Sequence, residues 1–76
     1  MPEKLQILYM QTRLVRLASE KWNKTIEETN KLFLQYNIYR YIADFWNLFH
    51  IEGDEAVLED ITNHMNSRGA DIWSVN

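Results

Sequence analysis

The sequence contains no cysteine, only one proline and only two glycines among its 76 residues. Without cysteine, disulfide bonds and thiolate-ligated zinc sites are excluded. Two separated glycines, Gly53 and Gly69, cannot supply the glycine-rich loop with which many proteins bind phosphate. The sequence also lacks a basic start followed by an apolar run, and it lacks any apolar stretch near the length of a membrane span. We therefore expect one soluble, cytoplasmic domain over residues 1–76, with no membrane association.

A domain of this size has little surface to bury, so its apolar residues must form a dense core. Chains near this length bury only about 60% of their unfolded surface, and small domains often rely on a metal or a partner subunit for stability. Seven of the ten aromatic residues lie between Phe33 and Phe49. We expect this segment to form the centre of the core.

The spacing of apolar residues predicts an all-α fold, a small four-helix bundle with helices at about 3–22, 26–36, 38–50 and 54–67 and a C-terminal tail over 70–76. A capping box at Thr25 and Glu28 marks the start of the second helix. The residues predicted to face inward from the first two helices are Ile7, Met10, Leu14, Leu17 and Ala18 with Leu8, Val15 and Trp22 beside them, and Ile26, Thr29, Leu32, Phe33 and Tyr36.

The third predicted helix is the most apolar. The residues at the centre of its apolar face are Ile38, Ile42, Phe45 and Phe49, flanked by Tyr39, Tyr41, Trp46 and Leu48. This face covers about half of the helix circumference, so at least two other elements should pack on it. Asn37 is expected to end the second helix in the left-handed conformation, and Asp54 is expected to cap the last helix.

Histidines and carboxylates, which often carry catalysis, have no catalytic spacing here. His50 and His64 are the only histidines, and neither belongs to a zinc-binding motif. His50 is more simply explained by a favourable interaction with a helix C-terminus. Asp44, Glu59 and Asp60 could act as paired acids only in a pocket that shifts their pKa, and the sequence indicates no pocket. We therefore expect no enzyme activity, no cofactor and no metal.

Charge is distributed unevenly, although the net charge is only −3. Residues 1–24 carry five basic and two acidic groups (+3), and residues 25–76 carry three basic and nine acidic groups (−6). The acidic groups are either solvated helix faces or a surface that attracts a basic partner. The candidate partner-binding residues are Tyr39, Tyr41, Asp44, Glu52, Asp54, Glu55, Glu59, Asp60 and Trp73. Trp73, in the tail, either covers the core or belongs to an interface.

Nucleic-acid binding is an alternative that the charge balance disfavours. The junction of the second and third helices at Asn37 is where a helix-turn-helix could form. The third helix offers Arg40 and Asn47 to DNA, but Asp44 lies on the same face. DNA binding requires basic residues that neutralise phosphates, which argues against this role.

Three stretches, from Thr25 to Ile42, from Leu48 to Gly53 and from Leu58 to Ile61, resemble a family of short bacterial proteins classed only as a domain of unknown function. The shared features are a capped helix ending in a tyrosine-turn-aliphatic step, a tyrosine-isoleucine pair, a histidine three residues before a glycine and a closing Glu-Asp-Ile. Asn37 stands where the family usually has glycine, and the tail after Arg68 is not part of the pattern.

The resemblance implies a small all-helical protein, often encoded beside ADP-ribosyltransferase-like proteins in an arrangement suggestive of a toxin and its antidote. It transfers no active-site residues. We therefore expect a non-enzymatic protein-interaction module, antitoxin-like or inhibitory toward a neighbouring protein, that binds a protein partner or forms a homo-oligomer. The alternative is a small helix-turn-helix-like DNA-binding regulator.

Overall fold

Five helices account for most of residues 2–72, the part of the chain that the computed structural model describes. In chain order they are α1 (Glu3–Lys21), α2 (Ile26–Gln35), α3 (Ile38–Asp44), α4 (Trp46–Phe49) and α5 (Asp54–Ser67). No strand occurs within this described range, which confirms the all-α prediction. None of the helices in it has both the length and the apolar character needed to cross a membrane.

Local signals in the sequence set the ends of α1 and α2. Pro2 precedes α1, and its carbonyl accepts hydrogen bonds from the first turn. Thr25 and Glu28 form the predicted capping box: the Glu28 amide donates to Thr25 Oγ1 at 3.0 Å, and the Thr25 amide donates to Glu28 Oε1 at 2.9 Å. Asn37 ends α2 in the left-handed conformation, with φ 55° and ψ 39°, as expected.

Helix α1 forms the centre of the bundle, because α2, α3 and α5 all pack against it. The buried apolar residues are Met10, Leu14, Val15, Ala18, Trp22, Phe33, Ile38, Ile42, Phe49, Val57, Leu58, Ile61, Met65 and Ile72. Phe33 is fully buried, and its ring contacts Trp22 and Tyr39 edge-on with centroid separations of 6.0 and 5.3 Å. Only Phe33 and Phe49 of the seven aromatic residues in the segment 33–49 are buried. The segment therefore contributes to the core, but α1 and not this segment stands at its centre.

The four-helix prediction is wrong in one place, because the predicted third helix is interrupted at Phe45. The backbone there has φ −105° and ψ 14°, which separates α3 from α4. Ile38, Ile42 and Phe49 remain buried, whereas Phe45 is exposed. Phe49, after the interruption, stays on the core face that regular periodicity assigns to it, whereas Phe45, at the interruption itself, does not.

Three further predictions of the sequence are wrong. Leu8 and Ile26 are exposed and not inward-facing. Each lies on a part of its helix that no neighbouring element covers, and helical periodicity alone does not set how much of a face is covered. Asp54 does not cap α5: Gly53 occupies the N-cap position without a side-chain cap, and Asp54 is the first helical residue.

Ion pairs and hydrogen bonds join the helices at the surface of the bundle. Arg13 Nε lies 2.9 Å from Asp54 Oδ2, and Lys21 Nζ lies 3.2 Å from Glu55 Oε1, so two pairs connect α1 with α5. Gln11 Nε2 donates to the Tyr39 carbonyl at 2.8 Å and so connects α1 with α3. These contacts connect α1 with α3 and α5, the helices on either side of the candidate site.

Candidate interaction surface

Three large apolar side chains lie at the surface at and after the interruption at Phe45. Phe45, Leu48 and Ile51 are 44%, 57% and 76% exposed, and we refer to these three residues as the α4 corner. Successive backbone hydrogen bonds join them, from the Leu48 amide to the Phe45 carbonyl and from the Ile51 amide to the Leu48 carbonyl, at 3.0 and 3.4 Å. The spacing of three residues places them on consecutive turns of one edge.

A network of rings beneath the α4 corner holds Phe45 in place. The Tyr41 ring lies 5.0 Å from that of Phe45 and 5.6 Å from that of Phe49. On its other side Tyr41 stacks on His64 of α5, with 4.0 Å between centroids and 14° between planes. Phe49 is buried in the core, so the α4 corner rests on the interior of the bundle and is not a free loop.

The electrostatics around Tyr41 link this ring network to the acidic residues. Burial raises the pKa of the Tyr41 hydroxyl, and the nearby carboxylates of Asp60 and Glu52 raise it further. Burial also lowers the pKa of His64, and the neighbouring Arg68 guanidinium lowers it as well. Tyr41 and His64 therefore form a stack of neutral rings at neutral pH, in which carboxylates act on Tyr41 and a guanidinium acts on His64.

An open groove of about 840 Å³ lies beside this stack, between the α2–α3 turn and the end of α5. Its lining residues are Gln35, Tyr36, Asn37, Arg40, Tyr41, Asp44, Phe45, His64 and Arg68. The sequence indicated no pocket. Tyr41 and His64 lie on separate helices, and no local pattern in the sequence signals that their rings will stack.

The predicted carboxylates separate into two groups. Asp44, Asp54 and Glu55 form ion pairs within the chain, because Asp44 lies 3.6 Å from Arg40 and the other two pair with α1. The remaining carboxylates, Glu52, Glu59 and Asp60, are exposed. Part of the acidic surface therefore meets basic residues of the same chain, and Glu52 stands next to Ile51 of the α4 corner.

The predicted aromatic site residues have different environments. Tyr39 is half-buried against Phe33, and its hydroxyl donates to Asn30 Oδ1 at 2.7 Å. Burial raises the pKa of Tyr39. Tyr41 is also half-buried but lines the groove. Trp73 lies outside the described residues. The structure thus brings Tyr41, Asp44 and Glu52 close to the α4 corner, and it places Tyr39 in the packing between α2 and α3.

The sequence did not single out Leu48 and Ile51 as binding residues. Leu48 was assigned to the flank of a core face, and Ile51 to the connection before α5. The signal that could have identified them is the apolar spacing 45, 48 and 51, which continues past the predicted end of the helix into a segment with no further helical pattern.

The two histidines contact aromatic rings. His50 stacks on Trp46 at 4.4 Å, and its Nδ1 lies 2.8 Å from the Trp46 carbonyl oxygen at the end of α4. This agrees with the interpretation that His50 interacts with a helix C-terminus. Within residues 2–72, no group of three or more histidine or acidic side chains is placed to hold a metal ion.

Residues 9–68 match a family model whose description is "Protein of unknown function (DUF3791)". The matched region contains all of α2 to α5 and most of α1. This confirms the resemblance to a domain of unknown function. No curated protein and no solved structure matches the chain.

Proposed function

The chain belongs to the DUF3791 family, whose function is unknown, and we propose that it is a non-enzymatic protein-interaction module that binds a basic partner through the α4 corner. The observation that carries this proposal is the joint exposure of Phe45, Leu48 and Ile51. Single exposed apolar residues are common on protein surfaces, but a contiguous group bordered by polar residues is typical of an interaction site.

The borders of the α4 corner define the chemistry of the partner. Asp44 precedes Phe45, and Glu52 follows Ile51, so exposed carboxylates lie at both ends of the apolar edge, of which Asp44 pairs with Arg40. An apolar centre with a charged rim is the usual anatomy of a protein interface, in which rim charges steer association and select the partner. A partner with a large apolar side chain flanked by lysine or arginine fits this surface.

An inhibitory, antitoxin-like role toward a neighbouring protein is the specific form of this function that we propose. It is supported by the family resemblance stated above and by the acidic rim, which is suited to covering a basic surface.

Co-purification of the tagged chain from its native host, followed by mass spectrometry, tests the proposal. Leu48→Glu places a carboxylate in the α4 corner, and Leu34→Glu is the matched control, because Leu34 is a similarly exposed leucine (60%) on α2. We expect one basic protein to co-purify with the wild type and with the control. Its recovery with Leu48→Glu should fall by about tenfold, a loss of about 1.4 kcal/mol in binding. Recovery of the wild type without a second protein contradicts the proposal, as does equal recovery by both variants.

A DNA-binding regulator is a second candidate, since the groove places Arg40 and Arg68 beside the α2–α3 turn. Two guanidinium groups at a turn between helices suit contact with phosphates. Arg40 is shared with Asp44 through their ion pair, which reduces the charge available for such contact. An electrophoretic shift on DNA of the native operon at low salt tests this candidate. Binding should weaken when Arg68 is replaced by alanine, and the absence of a shift at micromolar protein rejects it.

A further inference from the structure

A second exposed apolar surface lies on α1, on a different part of the molecule from the α4 corner. Leu5, Leu8 and Tyr9 are each between 41% and 51% exposed, and we refer to these three residues as the α1 stripe. Their spacings of three and four residues place them on one face of the helix. The core residues Met10 and Leu14 occupy the opposite side, so the α1 stripe points away from the bundle.

The charges near the two surfaces are opposite. Lys4 and Arg16 are exposed basic residues of α1 that share the outward side with the α1 stripe, and Glu20 lies one turn beyond Arg16. Asp44 and Glu52 border the α4 corner, and because Asp44 pairs with Arg40, the negative charge there comes mainly from Glu52. This difference follows the charge balance of the chain, which is +3 over residues 1–24 and −6 over residues 25–76. The two surfaces are therefore complementary both in apolar character and in charge.

Both surfaces are exposed in one copy of the chain, so neither covers the other. We propose that copies of this chain associate head-to-tail, with the α1 stripe of one copy on the α4 corner of the next. This association goes beyond the proposed function, because the occupant of the α4 corner is here a second copy of the chain and not another protein. A contact between two different surfaces is heterologous, so association continues beyond a dimer unless the geometry closes a ring.

Charge also disfavours the symmetric alternatives. Two α1 stripes in contact would bring Lys4 and Arg16 of one copy towards the same basic residues of the other. Two α4 corners in contact would bring the Glu52 carboxylates of both copies together in the same way. Juxtaposed like charges oppose association, whereas the head-to-tail contact pairs opposite charges. Its strength should therefore fall as salt screens the charges.

The test uses one variant for each surface. Leu8→Glu disables the α1 stripe, Leu48→Glu disables the α4 corner, and Leu34→Glu again serves as the control. Sedimentation velocity or light scattering gives the mass as a function of protein concentration at low and high salt. The expected wild-type mass rises past that of a dimer with concentration and falls at high salt. The control should behave as the wild type.

Mixing the two variants gives the decisive result. Each variant alone should remain a monomer, because every head-to-tail contact needs both surfaces. In an equimolar mixture, the intact α4 corner of Leu8→Glu can bind the intact α1 stripe of Leu48→Glu, and the mass should stop at two copies. Circular dichroism checks that each variant is folded, and Arg16→Glu, which reverses a charge beside the α1 stripe, replaces Leu8→Glu if helix content is lost.

Two outcomes overturn the proposal. The first is a wild type that stays monomeric at every concentration. The second is a variant that still dimerises alone, since that requires a symmetric contact. These outcomes are independent of the co-purification test. If the chain is a monomer that captures a basic protein through Leu48, the proposed function stands and only self-association is rejected. If the chain self-associates and captures no second protein, self-association stands and the proposed function is rejected.

Discussion

Asn66 holds the segment that follows α5, and replacing it with alanine should release that segment from the core. Its Nδ2 donates to the Ile72 carbonyl at 2.8 Å, and the Ile72 amide donates to its Oδ1 at 2.9 Å. The side-chain amide thus pairs with both backbone groups of one residue, while the Ile72 side chain is only 6% exposed. Asn66 lies within the region that matches the family model, which ends at residue 68, and Ile72 lies beyond it.

The expected loss follows from the balance between these contacts and chain entropy. Two hydrogen bonds contribute about 1 kcal/mol each, and burial of Ile72 contributes about 2 kcal/mol. Ordering residues 70–72 costs about 1 kcal/mol per residue. The net contribution of the docked segment is therefore about 1 kcal/mol. Asn66→Ala and Ile72→Ala should each lower the free energy of unfolding by about this amount, because either change lets the segment leave and recover its entropy.

The two changes act on one segment, so their effects should not add. Urea denaturation followed by far-UV circular dichroism compares Asn66→Ala, Ile72→Ala and the double variant, with Asn63→Ala as an exposed control on the same helix. We expect the double variant and a chain ending at residue 68 to lose about 1 kcal/mol. A double-variant loss equal to the sum of the single losses, within about 0.4 kcal/mol, would refute the reasoning, as would a shortened chain of unchanged stability.

Three further predictions concern the ends of α2. Thr25→Ala should lower the free energy of unfolding by about 1 kcal/mol, because it removes the N-cap acceptor. Hydrogen bonds from Thr25 hold the pKa of Glu28 below 4.5, so the contribution of the Glu28 carboxylate to stability is complete above that pH and is lost as pH falls through the lowered pKa. In urea titrations on either side of pH 4.5, the free energy of unfolding of Glu28→Gln should depend less on pH than that of the wild type. Equal pH dependence of the two proteins would contradict this. Asn37→Ala should lower the free energy of unfolding by about 1–2 kcal/mol because residue 37 has a φ of 55°, whereas Asn37→Gly should leave it unchanged. Equal melting temperatures of the two variants would show that the left-handed turn is not strained.

The sequence was sufficient where a single short segment determines the structure. The capping box at Thr25 and the left-handed turn at Asn37 are local devices, and the structure contains both. The ends of α1, α2 and α5 fall within one residue of the predicted bounds for the same reason. The buried positions of Leu14, Phe33 and Ile61 also follow from helical spacing, since they lie at the centres of their apolar faces.

The sequence was insufficient where the outcome depends on how far neighbouring helices extend. Periodicity identifies the apolar side of a helix, but it does not state whether another element covers it. Leu8 lies toward the edge of the apolar arc of α1, and Ile26 lies at the first turn of α2, so both stay exposed. A bundle of this size has few elements with which to cover such edges.

The candidate surface was only partly predictable because its exposure depends on which flank of an apolar helix the neighbouring elements leave uncovered. The carboxylates Asp44 and Glu52 were identified from charge alone. Leu48 and Ile51 were not, because Leu48 lies on the flank of the predicted core face and periodicity does not state whether a flank is covered. The groove likewise depends on a contact between Tyr41 and His64, 23 residues apart in the chain, and contacts over such separations have no signature in a single sequence.

The separation of basic and acidic residues along the chain is not explained by stability. The two ion pairs between α1 and α5 are partly or largely exposed, and pairs of this kind contribute about 0–1 kcal/mol each. Interspersed charges would stabilise the bundle about as well. What the separation does produce is a basic outward side of α1 and an acidic rim around the α4 corner, and fields of opposite sign on separate surfaces act between molecules. The arrangement of charge therefore favours association as the role of the exposed apolar residues, and it makes the salt dependence of that association the most direct measure of the role.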